Sequence, residues 1–296
     1  MAIGTAEHRP LPHLSASAPT RCGRYRVYSD AMADLHRTAG ILYDIDGVLV
    51  TSWRALPGAA DAIRRLAERG LRRAFLTNTT SRTQAEIAER LCAAGIEVSA
   101  DEIVTAARLT VEYLRRNHPG ARAWVLNHGD IDADLTGLRL DDTDPEVVVL
   151  GGAGPEFTHR ALSRVVELML DGVPVVAMQG GMTWATDDGL RIDTGTYLPG
   201  LEAAGNATIT VVGKPSPTGF RTCAATMDLT PEQVLMIGDD LHSDVLAAQA
   251  VGMTGVLVRT GKFRPSVLES SARHPDHNID SIANLPDLLP PGLASA

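Results

Sequence analysis

Beyond Gly40, short apolar runs alternate with amphipathic stretches, the rhythm of β-α units that assemble into a parallel sheet. Ile41-Leu42-Tyr43 reads as a buried strand ending at Asp44. A turn at Gly47 follows, and after Pro57-Gly58 a helix carries Ile63 and Leu66. Ala74-Phe75-Leu76 is the next strand, ending at Thr77-Asn78. Ser81 with Gln84 predicts a capping box that opens a helix with Ile87 and Leu91, closed by Gly95. Ser99 with Glu102 repeats that start signal ahead of a helix carrying Leu109, Val111, Tyr113 and Leu114.

A second α/β set occupies residues from about 119 to 208: strands at Trp124-Val125-Leu126, Val147-Val148-Val149-Leu150 and Val175-Val176-Ala177-Met178, with a helix near 158 to 170. The first rhythm then returns. Ile209-Thr210-Val211-Val212 leads to Lys214, and Thr230 with Gln233 opens the stretch before Val234-Leu235-Met236-Ile237, which ends at Gly238-Asp239-Asp240. A helix near 243 to 251 closes at Gly252, and a strand spans Gly255 to Val258. Polar residues thus fall at the C-terminal ends of predicted parallel strands, the edge where open α/β sheets bind ligands. The expected organisation is a core at 38–118 and 209–288 and an inserted unit at 119–208 placed to cover that edge. Residues 1–37, rich in Pro, Ser, Ala and Arg, read as a flexible extension, and 289–296 as a C-terminal tail.

Composition narrows the partners. With 44% apolar and 21% charged residues over 296 positions the chain folds, and two domains fit that length. A net charge of −9 gives no support to nucleic acid or an anionic membrane as partner, leaving a small ligand in a local site. Cys22, Cys92 and Cys223 are distant and odd in number, which suits a reducing cytosol. No apolar run approaches the roughly 20 residues that cross a bilayer, and the first residues lack a secretory apolar core, so a soluble cytoplasmic protein is expected.

Asp44 and Asp46 lie two apart, and a continuing extended backbone would point both carboxylates to one side, one to attack and one to handle a proton. Phosphoryl transfer to a carboxylate also needs a metal and donors for the equatorial oxygens. Asp239 can complete an oxygen-only sphere with Asp44 that suits magnesium, and Asp244 can bind the metal or orient its waters. Thr77 offers a hydroxyl, Asn78 a backbone N–H, and Lys214 a compact positive charge. Taken singly, each has a plain structural reading: an Asp-Gly turn, loop chemistry, a solvated lysine, a helix N-terminus. Four strand-end sites in order with complementary charges favour the functional one.

The segments Asp44-Ile45-Asp46-Gly47-Val48, Leu76-Thr77-Asn78, Lys214-Pro215 and Gly238-Asp239-Asp240-Leu241-His242-Ser243-Asp244 resemble motifs I to IV of the haloacid dehalogenase (HAD) superfamily. An α/β insertion between the second and third is similar to its type IIA cap subfamily, which includes the NagD-like phosphatases. Val212-Gly213-Lys214-Pro215 and Val258-Arg259-Thr260-Gly261-Lys262-Phe263-Arg264-Pro265 look like the phospholysine phosphohistidine inorganic pyrophosphate phosphatase group. The resemblance spans about residues 40 to 288. It implies a Rossmann-like parallel-sheet core, a mobile or docked cap, and a phosphoaspartyl intermediate.

Carried onto this sequence, it makes Asp44 the nucleophile and Asp46 the acid and base. Thr77 and Lys214 become the phosphoryl holders, and magnesium is bound by Asp44, the Asp46 carbonyl and Asp239, with Asp244 in support. Some members of the closer group have Ser where this chain has Asp46, which weakens transfer of their substrate and strengthens hydrolysis. The implied function is a phosphatase for phosphorylated small molecules, with a homodimer formed through the cap. The rivals are a phosphotransferase or mutase of the superfamily and a catalytically idle regulatory protein.

Substrate contacts are open to Thr79, Thr80, Ser81 and Arg82, and in the cap to loops at Gly151-Gly152-Ala153-Gly154-Pro155 and Met182-Thr183-Trp184-Ala185-Thr186-Asp187. Trp184 fits packing and stacking equally. His128 and Asp130 follow a cap strand without a second metal ligand at useful spacing, and His242 reads as helix-start chemistry.

Overall fold

Gly40-Ile41-Leu42-Tyr43-Asp44 is apolar up to its final carboxylate, the pattern of a strand covered on both faces. In the computed structural model, which describes residues 35–186 and 189–293, it forms β1 (Gly40–Asp44), buried at every position. A small hairpin follows, β2 (Val50–Thr51) and β3 (Arg54–Ala55), and then β4 (Arg72–Thr77) and β5 (Ile103–Thr105). The inserted region supplies β6 (Arg122–Leu126), β7 (Arg139–Leu140), β8 (Val147–Leu150), β9 (Val175–Ala177), and the hairpin of β10 (Thr183–Thr186) and β11 (Gly189–Ile192). The chain ends with β12 (Thr210–Val211), β13 (Val234–Gly238), β14 (Thr254–Val258) and β15 (His277–Ile279).

Two parallel sheets result. The first has the order β15-β14-β13-β1-β4-β5 and the second β12-β9-β8-β6-β7. Period-two alternation sends Ile41 and Tyr43 of β1 into one apolar layer, with the helices Ala59–Ala67 and Gln84–Ala93, and Leu42 into another. That second layer is shared. Leu42, Leu76 and Val104 of the first sheet lie in the same cluster as Ala123, Val147, Val149 and Val176 of the second, with the helix Ala106–Asn117 contributing Leu109, Val111 and Leu114. Val148, Leu150, Val175 and Ala177 face the opposite way, onto the helix His159–Leu170. The inserted sheet is therefore docked by a continuous apolar layer, whose burial at about 25 cal/mol per Å² is the dominant force holding it.

Several sequence expectations change. The strand at 210–211 pairs with β9 in the second sheet, although the sequence reading gave residues 209 onward to the first unit. A short apolar run cannot say which sheet it will join. The helix Gln84–Ala93 is capped by a box of Thr83 with Glu86, two residues beyond Ser81 with Gln84. Ser99 with Glu102 does form a capping box, but on a single 3-10 turn (Ala100–Glu102), followed by the unforeseen β5 and a helix that Thr105 caps. The helix near 243 to 251 begins as a π-helical turn, Leu241–Leu246, and continues as Ala247–Gln249.

Leu35 is fully buried, so the packed chain starts before residue 38. Leu289 is buried too, which takes the start of the expected tail into the core. The loop at 182–187 contains strand β10 of a hairpin. Residues 1–34 with Cys22, Asp187, the Trp184 side chain and residues 294–296 lie outside the described residues. Among the described residues no helix is long and apolar enough to cross a membrane.

Candidate active site

Strand β1 stops at Asp44 because the next residues bend into a tight turn, with Gly47 N donating to Val50 O at 2.8 Å and Leu49 N to Ile45 O at 2.9 Å. Gly47 takes φ +82°, the left-handed region that glycine enters without a Cβ penalty. Space forbids a side chain there as well: an added Cβ would stand 1.9 Å from Asp239 Oδ2. The two carboxylates differ in exposure. Asp44 is buried at 5% exposure, whereas Asp46 opens to solvent.

Lys214 arrives from the other sheet. Its strand continues beyond β12, with Val212 N on Ala177 O at 3.0 Å and Gly213 N on Met178 O at 2.8 Å. Asn78 fixes the register of Lys214 from the core side: its amide accepts from Lys214 N at 2.9 Å and donates to Lys214 O at 2.8 Å. The sequence reading gave Asn78 a backbone N–H role; its side chain clamps the lysine backbone. So placed, Lys214 Nζ lies 2.5 Å from Asp44 Oδ1 and 2.8 Å from Asp244 Oδ1. Thr77, at the end of β4, accepts from Thr79 N at 3.1 Å and donates to Thr79 Oγ1 at 2.9 Å.

Strand β13 delivers Asp239 and Asp240. Asp240 caps the π-helical turn, accepting from His242 N at 2.9 Å and Ser243 N at 3.0 Å. That turn brings Asp244 back so that its Oδ2 accepts from Asp240 N at 3.1 Å. Asp239 Oδ2 accepts from Lys262 N at 2.7 Å, while its Oδ1 is buried without a hydrogen-bond partner.

Asp44, Asp239 and Asp244 can each offer an oxygen within 4.8 Å of the others, all buried. Three carboxylates against one ammonium leave the cluster two negative charges in excess. An orphaned buried carboxylate oxygen and an all-oxygen donor set fit a hard divalent cation such as magnesium.

The electrostatics carry the same message. Burial pushes Asp239 up to about 7, helped by Asp44. Burial likewise pushes Asp244 up to about 6 against the opposing pull of Lys214. Asp44 is also raised by burial, with Lys214 as the main opposing influence. Burial works to lower Lys214, but Asp244 and Asp44 outweigh it and hold the lysine protonated. Although Asp46 opens to solvent, the walls around it thin the water enough to raise its pKa, against Lys214 and Lys262.

Around the cluster, some of the remaining residues join the two sheets and others are tied locally. Asn127, at the end of β6, donates to Thr80 O at 3.0 Å and accepts from Gly152 N at 2.8 Å. Asp134 of the inserted region is buried; it accepts from Gln84 N at 3.2 Å and from Thr105 Oγ1 at 2.9 Å, joining the core helix to β5. Ser81 packs beneath Gly129, and Arg82 lies 5.8 Å from the Trp53 ring centroid. Gly151 O accepts from Thr194 Oγ1 and Ala153 N donates to Asp193 Oδ1 at 3.0 Å, so that loop is tied within its own sheet. His128 faces Glu156 at 3.1 Å, Asp130 accepts from Asp132 N at 3.2 Å, and His242 is exposed. Sequence reasoning missed Asn127, Asp134 and Lys262. Asn127 carried a signal as a polar residue directly after an apolar strand, and Lys262 lies in the Val258–Pro265 segment without a role being given to it.

Comparison with known proteins agrees with this geometry. The profile of the haloacid dehalogenase-like hydrolases matches residues 41–140, and an HAD-hydrolase-like profile matches 211–285. The phospholysine phosphohistidine inorganic pyrophosphate phosphatase of Danio rerio is 34% identical over 86% of this chain and 95% of its own length. Haloacid dehalogenase-like hydrolase domain-containing protein 2 of Homo sapiens is 35% identical over 79% and 89%. The solved structure of NagD from E. coli K-12 superposes with a TM-score of 0.76 at 27% identity, covering 83% of this chain and 97% of NagD. With profiles that take in all four strand-end segments and a relative 34% identical over 86% of its length, this chain belongs to the haloacid dehalogenase-like hydrolases.

Proposed function

We propose that the chain is a magnesium-dependent phosphatase that hydrolyses phosphate monoesters of small molecules through a phosphoaspartyl intermediate on Asp44. The buried cluster of Asp44, Asp239 and Asp244 around Lys214, with Asp46 at its open side, carries this reading. Its relative from Danio rerio is named a phosphatase. On this reading the first sheet is the core and the inserted sheet is the cap. A cytoplasmic setting and a homodimer belong to the same reading, and sedimentation of the purified protein tests the latter.

Asp44 must be ionised to attack, and Lys214 at 2.5 Å offsets the burial that opposes its charge. An Asp44 oxygen bonds to phosphorus as the bond to the leaving oxygen breaks, and Asp46 gives that oxygen its proton. A raised pKa suits Asp46 to hold the proton until then. Asp46 next takes a proton from water, whose oxygen attacks the phosphoryl group and frees Asp44 with inorganic phosphate. Thr77, Lys214 and the Asn78 backbone N–H hold the equatorial oxygens. Asp44, the Asp46 carbonyl, Asp239 and Asp244 would hold magnesium, which supplies positive charge against the phosphoryl oxygens when bound.

The test is phosphate release with magnesium from sugar phosphates, glycerol phosphate, phosphoglycolate, pyridoxal phosphate, nucleotides, pyrophosphate and phosphohistidine. Release from none of them, or activity that survives exhaustive chelation, overturns the reading.

A further inference from the structure

A second cation stands beside the carboxylates and is not used by the reaction above. Residues 259–264 pass over the Asp46-Gly47 turn, and three contacts fix that passage. Thr260 Oγ1 donates to Gly47 O at 2.5 Å, and Lys262 N donates to Asp239 Oδ2 at 2.7 Å. Gly261 lies so near the turn that an added Cβ would stand 2.6 Å from the Gly47 Cα. Phe263 anchors the far side against Leu241, Val245 and Leu257. The backbone at residue 262 is thereby pinned to a carboxylate of the metal cluster.

The neighbouring cations are engaged elsewhere. Arg259 pairs with Asp280 at 3.1 Å. Arg264 folds back onto its own loop, donating to Phe263 O at 2.8 Å and Gly261 O at 3.3 Å. Lys214 is held between Asp44 and Asp244. Lys262 is exposed, with no carboxylate in ion-pair contact among the described residues, while its charge acts on Asp44, Asp46, Asp239 and Asp240 together. A departing group with its own negative charge would be repelled by Asp46 and Asp240. An ammonium on a backbone pinned beside these carboxylates, with no ion-pair partner among the described residues, offsets that repulsion.

We propose that Lys262 binds an anionic group on the departing part of the substrate, so that the substrates are phosphate esters or anhydrides carrying a carboxylate or a second phosphate there. This rests on the phosphatase reading and deepens it. The bond from phosphorus to the bridging oxygen breaks as Asp44 bonds to phosphorus, Asp46 protonates that oxygen, and the freed anion is left facing Lys262. No further reactant is needed.

The experiment measures kcat/KM with magnesium for phosphoglycolate, pyrophosphate and ethyl phosphate, whose departing group is neutral. The ratio of each anionic substrate to ethyl phosphate falls about tenfold in Lys262→Met and is kept in Lys262→Arg, about the weight of one charge pair. A fall for phosphoglycolate alone identifies a carboxylate, and one for pyrophosphate alone a second phosphate. Circular dichroism confirms that the variants are folded. If ratios in folded Lys262→Met stay within about twofold of wild type, the role of Lys262 is wrong while the phosphatase reading stands. If wild type releases phosphate from none of the three or from the wider panel, the phosphatase reading itself fails.

Discussion

The two parallel sheets meet at their C-terminal edges and contribute opposite things. The first brings Asp44, Thr77 and Asp239, polar groups at the ends of β1, β4 and β13. The second brings the Asn127 side-chain amide and the backbone of Gly151, Gly152 and Met178, uncharged groups that fasten main chain. Lys214 is the exception, a cation delivered from the second sheet into the carboxylates of the first. Chemistry is thus concentrated on one edge and shape on the other, and Asn78 secures the lysine that reaches from one to the other.

The largest effect expected from this division lies at Asp44. Asp44→Asn keeps the shape and loses the nucleophile, so phosphate release falls about 10³-fold or more. A steady-state rate equal to wild type would remove Asp44 from the reaction. Gly47→Ala tests how tightly the first edge is built, because its methyl would overlap Asp239 Oδ2 at a φ of +82°. We expect a loss of about 1–3 kcal/mol of stability in denaturant melts and of magnesium-dependent activity. Unchanged values for both would mean that the turn yields freely.

On the joint between the sheets, Asp134→Ala leaves Gln84 N–H and Thr105 Oγ1 without their acceptor. The expected cost is about 1–3 kcal/mol, with kcat less affected than by the substitutions above. If kcat collapses while the melt is unchanged, the second edge does more than shape the site.

The smallest effect is in pH. Asp239 and Asp244 have folded pKa values of about 7 and about 6, above the ordinary 3.8, so the folded metal-free protein binds more protons than the unfolded chain. Their contribution to stability is full below 3.8 and is lost as pH rises towards about 7. Magnesium needs the ionised carboxylates, so its effect on Tm, a few degrees, grows from about pH 5 to about pH 8. An equal gain at both would place the metal elsewhere.

Strand ends were legible because an apolar run that meets carboxylates and a glycine marks where a buried strand stops, as in Asp44-Ile45-Asp46-Gly47 and Gly238-Asp239-Asp240. The pairing of β12 was not, since Thr210-Val211 is compatible with either sheet. Asp134 was missed for a related reason: its partners lie 50 and 29 residues away and no local pattern links them. Lys262 is one of only two lysines in the chain, and no local pattern assigns it a role; only the Gly47–Gly261 approach brings its backbone over the Asp46-Gly47 turn.

By itself the sequence determined the α/β class, the order of the strand-end residues and the family, because alternation and local turn chemistry act over a few residues. The tertiary structure decided which carboxylates share a cation, which sheet carries Lys214 and how the inserted sheet is fastened. Those depend on contacts between distant segments, where charge, burial and steric fit are settled only once the chain has folded.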